Sequence, residues 1–423
     1  MNNHDIQPSG SAHRSDWRPI PTRPTSANLR RTNGCKPSLW VRVLSRTSMS
    51  IIMLGIAVID IRADEVDKAL TTIQAAGPGG TGSRAARQAH DSLVRQGMQI
   101  LPRLLQAMDS DNIVALNWYR SAYEQIVDAE WNRDTPRFPV DWLKTFAADR
   151  KHRGRVRRLV VDLVERIEPG FRQQLISGLL DDPEYRQEAI AIALLRADKA
   201  RADKDVATAR KSYQRILQHA RDSQQILKVA DRLKSVGVQI DVTRQMGFIT
   251  HWYLLGPFDA PGKTGFELKF PPETQVDLQA TYDGQAGRRI GWKRATTTDR
   301  LGQINLNKAI AATREAVGYA YAELNSPQQQ NVQLRCGADD NLSVWLNGNP
   351  VFARKQWLNG TRLDRFSAPV KLIKGRNKLL VKICQGPQHK NPAVPNNWSL
   401  QLRFCDASGA AVGVSTINPG PAE

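Results

Sequence analysis

The sequence predicts an α plus β multidomain protein, with a helical N-terminal segment and an antiparallel β-rich C-terminal segment. Apolar residues recur at the 3.6-residue helix period from about residue 64 to 241. At about residue 248 the pattern changes to the alternation that is typical of strands. Asn347-Gly348 then separates two apolar runs. This dipeptide is the strongest short signal for a β-hairpin, because both residues tolerate positive φ.

Residues 1–63 are predicted to be a disordered basic leader and a signal-like segment. An apolar run at 51–59 follows a basic stretch ending at Arg46, and Ala63 lies shortly after it. A basic flank, a short apolar core and a small residue are typical of a signal peptide. The run is shorter than the roughly 20 apolar residues that span a bilayer. We therefore expect cleavage near Ala63 and export to the periplasm, the cell envelope or the medium. Alternatives are a true start at Met49, an uncleaved membrane anchor, or a buried helix of a cytoplasmic protein.

The helical segment is placed at residues 64–245, as short helices joined by polar turns. ILPRLLQAMDSDNIVALNWYRSAYEQI (100–126) resembles a HEAT repeat, in which a Pro-containing helix, an Asp-rich turn and a second helix follow one another. The resemblance implies a stack that binds a partner on its concave face. A helical spacer is the alternative. Farther along, Asp182-Pro183 predicts the start of another helix.

The β-rich segment is placed at residues 246–406, and residues 407–423 are expected to be a flexible tail. Alternating runs indicate strands at 317–324, 332–336, 342–346, 378–383 and 398–404. No helical crossover separates these runs, so we expect antiparallel pairing. Three cysteines lie near predicted strand ends, and they form either one disulfide plus one free thiol or three buried thiols: Cys336, Cys384 and Cys405.

Several runs of the β-rich segment resemble the galactose-binding-like jelly roll that accompanies family 2 glycoside hydrolases. They are CGADDNLSVWLNGNPVF (336–352), VKLIKGRNKLLVKICQG (370–386), WSLQLRF (398–404) and the opening WYLLGPFD (252–259). The Asp-Asp and Asn-Gly of the first run also resemble the PA14 domain. The resemblance implies a β-sandwich used for binding, with function set by its sites rather than by the fold.

Asp339 and Asp340 form the main predicted polar site. Adjacent carboxylates repel each other unless a cation or hydrogen-bond donors compensate them. The PA14-type resemblance implies a Ca²⁺ ion that holds a sugar, and oxygen ligands suit Ca²⁺. The alternative is a structural pair that accepts backbone N–H bonds before the hairpin. Trp357, in a loop after the hairpin, is expected to be exposed and to stack on a ligand. Trp345 lies in mid-strand, where it either faces the core or stacks on a sugar.

The net charge of +19 would attract nucleic acid, anionic lipid or acidic polysaccharide, but the Arg residues are scattered along helices. The sequence lacks GxSxG, HExxH, P-loop and Rossmann motifs. We therefore expect no catalytic residues, and a secreted or envelope-associated protein that binds a glycan or a cell-surface protein. Nucleic acid is not an expected partner, and a membrane is expected only through an uncleaved N-terminal segment. Alternatives are a protein scaffold with an architectural β-sandwich and a carbohydrate-active enzyme.

Overall fold

The structure is a computed structural model that describes residues 64–357 and 360–417. The chain divides after Glu65, and the residues from Val66 onward form one compact unit. The predicted leader and its signal-like run lie outside the described residues. Within the described residues, no helix is long and apolar enough to cross a membrane.

The N-terminal half of this unit is helical, as predicted. Helix α1 covers residues 64–74. It is followed by α2 (Ser83–Gln96), α3 (Leu101–Ala107), α4 (Ile113–Trp131), α5 (Val140–Ala148), α6 (Gly154–Ile167), α7 (Phe171–Ile176), α8 (Arg186–Ala202), α9 (Val206–His219), α10 (Ser223–Ser235) and α11 (Val242–Met246). Asn112 caps α4 through its side chain, which accepts from the N–H groups of Val114 and Ala115. Successive helices pack around one core that runs the length of this half.

The C-terminal half is built of antiparallel strands. They are β1 (His251–Asp259), β2 (Thr281–Asp283), β3 (Arg289–Gly291), β4 (Lys293–Thr296), β5 (Ile304–Asn305), β6 (Ala316–Ser326), β7 (Gln330–Asp339), β8 (Leu342–Leu346), β9 (Asn349–Arg354), β10 (Phe366–Leu372), β11 (Gly375–Gln385), β12 (Ser399–Cys405) and β13 (Ser415–Thr416), with one short helix, α12 (Leu306–Ala309), after β5. The larger sheet has the order β4-β1-β6-β11-β8-β9, with β13 also paired to β6. The smaller sheet has the order β10-β7-β12-β5, and β2 and β3 form a separate pair.

The two larger sheets share one apolar core, to which β1, β6, β8 and β11 contribute from one sheet and β7, β10 and β12 from the other. A second apolar layer covers the opposite face of the larger sheet, where the loops between β1 and β3 pack on β1 and β6. Strand β6 is therefore buried on both faces along most of its length. The sequence had predicted one-sided alternation there, since the covering loops carry no periodic pattern.

The helical half joins the sheets at residues 247–249. Ile249 N–H donates to Leu402 O at 3.0 Å, and Phe404 N–H donates to Gly247 O at 3.1 Å, so this segment lies along β12. The Arg403 guanidinium is buried beneath it and donates to Met246 O at 3.0 Å and to both carboxylate oxygens of Asp364. Strand β12 is buried on both faces because the helical half covers its outer side.

The β8–β9 hairpin confirms the prediction made from Asn347-Gly348. The two strands pair antiparallel around this turn. Asn347 has φ 53° and Gly348 has φ 79°. Cys336, Cys384 and Cys405 are all free and buried, which decides between the two arrangements left open for them.

Two boundaries differ from the sequence predictions. Helix α8 begins at Arg186 rather than at Asp182, because the Asp182 carboxylate caps the preceding turn through Glu184 N–H and pairs with the buried Arg157 at 2.8 Å. The predicted flexible tail is ordered in part, since β13 pairs with β6 and Ile417 N–H donates to Glu323 O at 2.8 Å. Residues 418–423 lie outside the described residues.

Candidate functional site

The predicted carboxylate pair lies where β7 ends. Asp339 is the last residue of β7, Asp340 follows through a cis peptide bond, and both side chains are buried. Asp340 N–H donates to Cys384 O at 2.9 Å, and Cys384 N–H donates to Asn341 O at 2.9 Å. The backbone of this corner is thus hydrogen-bonded to the end of β11.

The two carboxyl groups interact with each other and with the neighbouring backbone. Gly386 N–H donates to Asp340 Oδ2 at 2.8 Å. Burial, and then a hydrogen bond and charge repulsion from Asp340, raise the pKa of Asp339 to about 7. Asp339 is therefore partly protonated at neutral pH, and the pair carries less charge than two separate carboxylates. Asp340 thus accepts a backbone N–H bond, as the structural alternative expected of the pair, but from Gly386 after β11 rather than from the turn before the hairpin.

Trp357 lies beside this pair. A methyl group on Gly386 would come within 2.8 Å of Asp340 Oδ2 and 3.1 Å of Cε3 of Trp357, so both side chains border the same glycine. The Trp357 ring is half-buried rather than exposed, because it packs on the apolar layer of the larger sheet. The Lys263 ammonium stands 5.7 Å from its ring centre. The structure thus brings together Asp340 and Trp357, and Asp339 is hydrogen-bonded to Asp340.

Asp339 and Asp340 contribute two carboxyl groups to the predicted calcium site. Ca²⁺ takes about six to eight oxygen ligands, and among residues 64–357 and 360–417 no group of three or more His, Cys, Asp or Glu side chains is placed to hold a metal ion. The hydrogen-bonded carboxyl groups also lie closer together than the roughly 5 to 9.5 Å that separates the two acids of a glycosidase. Calcium and ligand binding at Asp339, Asp340 and Trp357 remain predictions.

A second candidate surface, which the sequence analysis did not identify, lies on the outer face of the larger sheet. Strand pairing places Tyr253 beside Tyr321, Tyr321 beside Leu380, and Leu380 beside Trp345, in one row across β1, β6, β11 and β8. Trp292 meets Tyr321 edge-on at 6.1 Å between ring centres. We call Tyr253, Trp292, Tyr321 and Trp345 the outer aromatic face. Three of its rings are half-buried, as Trp357 is, and Tyr321 is buried between them.

Polar groups border the outer aromatic face. The Tyr321 hydroxyl donates to Glu323 Oε1 at 2.9 Å, and the Arg376 guanidinium lies 3.5 Å from the other oxygen of this carboxylate. Exposed Lys378, on β11, lies directly opposite Glu323 of β6 in the strand register. Arg294 lies 5.9 Å from the ring centre of Tyr253 at the other end of the row. The face therefore combines aromatic surface with hydrogen-bond donors and acceptors at its edge, as ligand-binding surfaces do.

Comparison with known proteins gives distant likenesses. No protein-family model matches the chain, and no curated protein matches it. Among solved structures, a GH2 beta-galacturonidase from Eisenbergiella tayi is 12% identical with a TM-score of 0.21, over 36% of this chain and 23% of that one. The beta-glucuronidase of Faecalibacterium prausnitzii is 14% identical with a TM-score of 0.18, over 37% and 31%. The GH31 alpha-xylosidase of Xanthomonas citri is 14% identical with a TM-score of 0.17, over 37% and 17%.

The chain thus spans less than a third of the length of each of these enzymes. The antiparallel, sheet-rich C-terminal half is compatible with a jelly-roll module. The outer aromatic face escaped sequence reasoning because its residues come from four separate segments. The alternation of β1 and β6 indicated which side chains share a face, but the sequence does not say how much of that face the loops cover.

Proposed function

We propose that this chain is an exported, non-enzymatic binding protein, in which a jelly-roll module recognises a neutral glycan and HEAT-like helices contact a partner on the cell surface. The observation that carries the proposal is the outer aromatic face. The accessible parts of these half-buried rings offer apolar surfaces on which the C–H faces of a sugar can stack, and the neighbouring Glu323 and Lys378 offer partners for its hydroxyl groups.

The contacts at the carboxylate pair support a binding role over an enzymatic one. A retaining or inverting glycosidase needs two separated carboxylates, whereas Asp339 and Asp340 hydrogen-bond to each other. The carbohydrate-active enzyme remains the alternative at this pair. A screen for hydrolysis of polysaccharides, repeated with Asp339→Ala, tests that alternative, since it requires activity that this variant loses.

The experiment for the proposal is a glycan array followed by calorimetric titration of the full chain with the neutral oligosaccharides that bind. Trp345→Ala should weaken binding at least tenfold, because it removes the ring at one end of the outer aromatic face. Trp357→Ala is the matched control, since Trp357 is another half-buried tryptophan packed on the same apolar layer. If Trp357→Ala abolishes glycan binding and Trp345→Ala does not, the glycan site lies at Asp340 and Trp357 instead. Repeating the titration with Ca²⁺ tests the calcium prediction. Failure to bind any neutral glycan would refute this part of the proposal.

A protein scaffold is the second candidate, and two exposed apolar residues on the helical half favour it. Ile113 at the start of α4 is 74% exposed, and Leu195 on α8 is 70% exposed. Large apolar side chains exposed to this degree are candidate contacts for another protein. Replacing both by Ser in the full chain should abolish capture of a cell-surface partner if the scaffold role holds, and should leave glycan binding unchanged.

A further inference from the structure

A cleft lies where the end of the helical half meets the C-terminal turn of the β half. Its volume is about 530 Å³, and we call it the joint cleft. The lining comes from α9, α10 and α11 on one side and from Gly409, Ala410 and Ala411 on the other. The walls also carry polar amides, at Gln218, Gln239 and Gln245. A polar cleft of this size accommodates a small ligand.

Two guanidinium groups line the joint cleft without an acid paired to them. Arg221 donates to the carbonyl oxygens of Gln218 and Ala220 and to Ser408 Oγ, all of which are neutral. Arg244 is exposed beside it. Among the ion pairs of the residues that the structure describes, none within 4 Å involves either guanidinium. Burial, followed by the nearby charge of Arg186, lowers the pKa of Arg221.

The acidic groups near the cleft are engaged in their own turns. Asp241 caps α11, accepting from Arg244 N–H at 3.1 Å and from the Thr243 hydroxyl at 2.6 Å. Asp406 accepts from Ser408 N–H at 2.8 Å and from Ala410 N–H at 3.0 Å. Each carboxylate is held by donors of its own turn, although Asp241 lines the cleft and the charges of Asp241 and Asp406 act on Arg244 and Arg221. Because neither carboxylate forms an ion pair within 4 Å with these arginines, both guanidinium groups keep hydrogen-bonding capacity for an anion from outside the chain.

We propose that the joint cleft binds a sulfate- or carboxylate-bearing sugar unit, with Arg221 and Arg244 as its anion-binding residues. This site is separate in its residues from the outer aromatic face and does not depend on it. The Arg244 guanidinium can bind sulfate or carboxylate oxygens through two parallel hydrogen bonds. Arg221, whose Nε–H and Nη1–H groups are already engaged, offers Nη2 as a further donor. The amides of Gln218, Gln239 and Gln245 suit sugar hydroxyl groups. The cleft volume suits one or two sugar units, and no aromatic side chain lines it for stacking on a base.

The test is calorimetric titration of the full chain with a heparin-derived tetrasaccharide, compared with the neutral cellotetraose. The sulfated ligand should bind with an affinity that falls as salt rises, and cellotetraose should bind this site at least tenfold more weakly. Arg244→Gln should weaken binding of the sulfated ligand about tenfold. Arg244 is the main variant because its exposed side chain is not needed for packing, and Arg221→Lys tests the requirement for a guanidinium.

The control is Arg87→Gln, which removes the same charge from an exposed position on α2. Equal weakening by Arg87→Gln and Arg244→Gln would mean that the whole positive surface attracts the ligand, and it would overturn the proposal. Tighter binding of a short single-stranded DNA than of the tetrasaccharide, with the same loss in Arg244→Gln, would also overturn it in favour of a phosphate-binding site. The outer aromatic face is tested by its own variant, Trp345→Ala, so failure of one proposal leaves the other standing.

Discussion

Buried charged side chains in the β half occur in hydrogen-bonded groups that attach loops to strands. Asp340, itself hydrogen-bonded to Asp339, holds the end of β7 against Gly386. Lys382, on β11, contacts Glu273 at 2.8 Å and also donates to the carbonyl oxygens of Phe266 and Leu268. Because a buried charge is costly without a partner, each group should respond strongly to the loss of one member.

Asp339→Asn should change how stability depends on pH. The pKa of Asp339 is raised from 3.8 to about 7 in the folded state, so folded protein binds more protons than unfolded protein between these values. The stabilisation from this group is complete below about pH 4 and is lost as pH rises through 7. An amide can donate to Asp340 as the protonated acid does, at any pH. The variant should therefore gain about 1 to 3 kcal/mol over the natural protein between pH 4.5 and pH 8 in urea unfolding.

Asp134→Asn, at an exposed position, serves as the control for this measurement. It should follow the natural protein across the pH range. If the free energies of unfolding of Asp339→Asn and of the natural protein change in parallel with pH, the raised pKa of Asp339 is contradicted.

Lys382→Met should lower the free energy of unfolding by about 3 kcal/mol, because it removes the only cation paired with the Glu273 carboxylate among the described residues. Two neutral donors, the Tyr319 hydroxyl and the Phe270 N–H, then remain as its partners in a poorly solvated site. Adding Glu273→Gln should recover part of that loss, since the second change removes the unpaired charge. Urea unfolding of the two single variants and the double variant measures the coupling. If the loss in the double variant equals the sum of the losses in the two single variants, Lys382 and Glu273 have no coupling energy.

At the scale of elements, the contact between residues 247–249 and β12 determines how the helical half attaches to the sheets. Gly247 has φ 78° and lies so close to β12 that an added Cβ would stand 2.5 Å from Phe404 O. The sequence predicted the change of period at this place, but not that the connecting segment itself pairs with a strand near the C-terminus. That pairing depends on residues about 155 positions apart, which no local pattern relates.

Gly247→Ala should be more destabilising than Gly348→Ala, although the two glycines have nearly equal φ. At Gly348 nothing lies within 4 Å of an added Cβ, so Ala there costs about 1 kcal/mol for the left-handed backbone alone. At Gly247 the clash with Phe404 O should add about 2 kcal/mol or more. Chemical denaturation of both variants measures the difference. Equal losses of free energy of unfolding would mean that residues 247–249 can shift away from β12 to make room for the added methyl group.

The candidate sites show a similar limit of sequence reasoning. Asp339 and Asp340 could be found because they adjoin a recognisable hairpin, and the hairpin itself was predicted correctly. Their burial could not be predicted, since it comes from the end of β11 and from the loop at Gly386. The joint cleft was also beyond prediction, because Arg221 and Arg244 become neighbours of residues 409–411 by folding alone.

For the whole molecule, the helical and sheet halves keep separate cores but share buried contacts. Leu301 and Leu363, from loops of the β half, pack on the helical core. Arg403 contacts both Met246 O and Asp364 from within the smaller sheet. Neither half can unfold without exposing groups that the other satisfies.

We therefore expect the two halves to unfold in one transition. Far-UV circular dichroism reports mainly the helices, and near-UV circular dichroism reports fixed aromatic rings such as the fully buried Trp398. Thermal curves from the two should coincide within about 2 °C in the natural protein. In Gly247→Ala, which weakens the joint, the curves should separate. Two transitions in the natural protein would show that the halves are independent domains, as the sequence boundary at 245/246 suggested.

The reactivity of the three buried thiols reports how often the β half opens. Burial raises the pKa of Cys336 and of Cys384 to about 12, so neither is a thiolate at neutral pH while the protein is folded. Alkylating reagents react with thiolates, and they should modify these cysteines at the rate at which the sheets separate. The extent of labelling of these three cysteines, measured peptide by peptide so that Cys35 is left out, then gives the fraction of molecules that have opened, without any added dye or engineered probe.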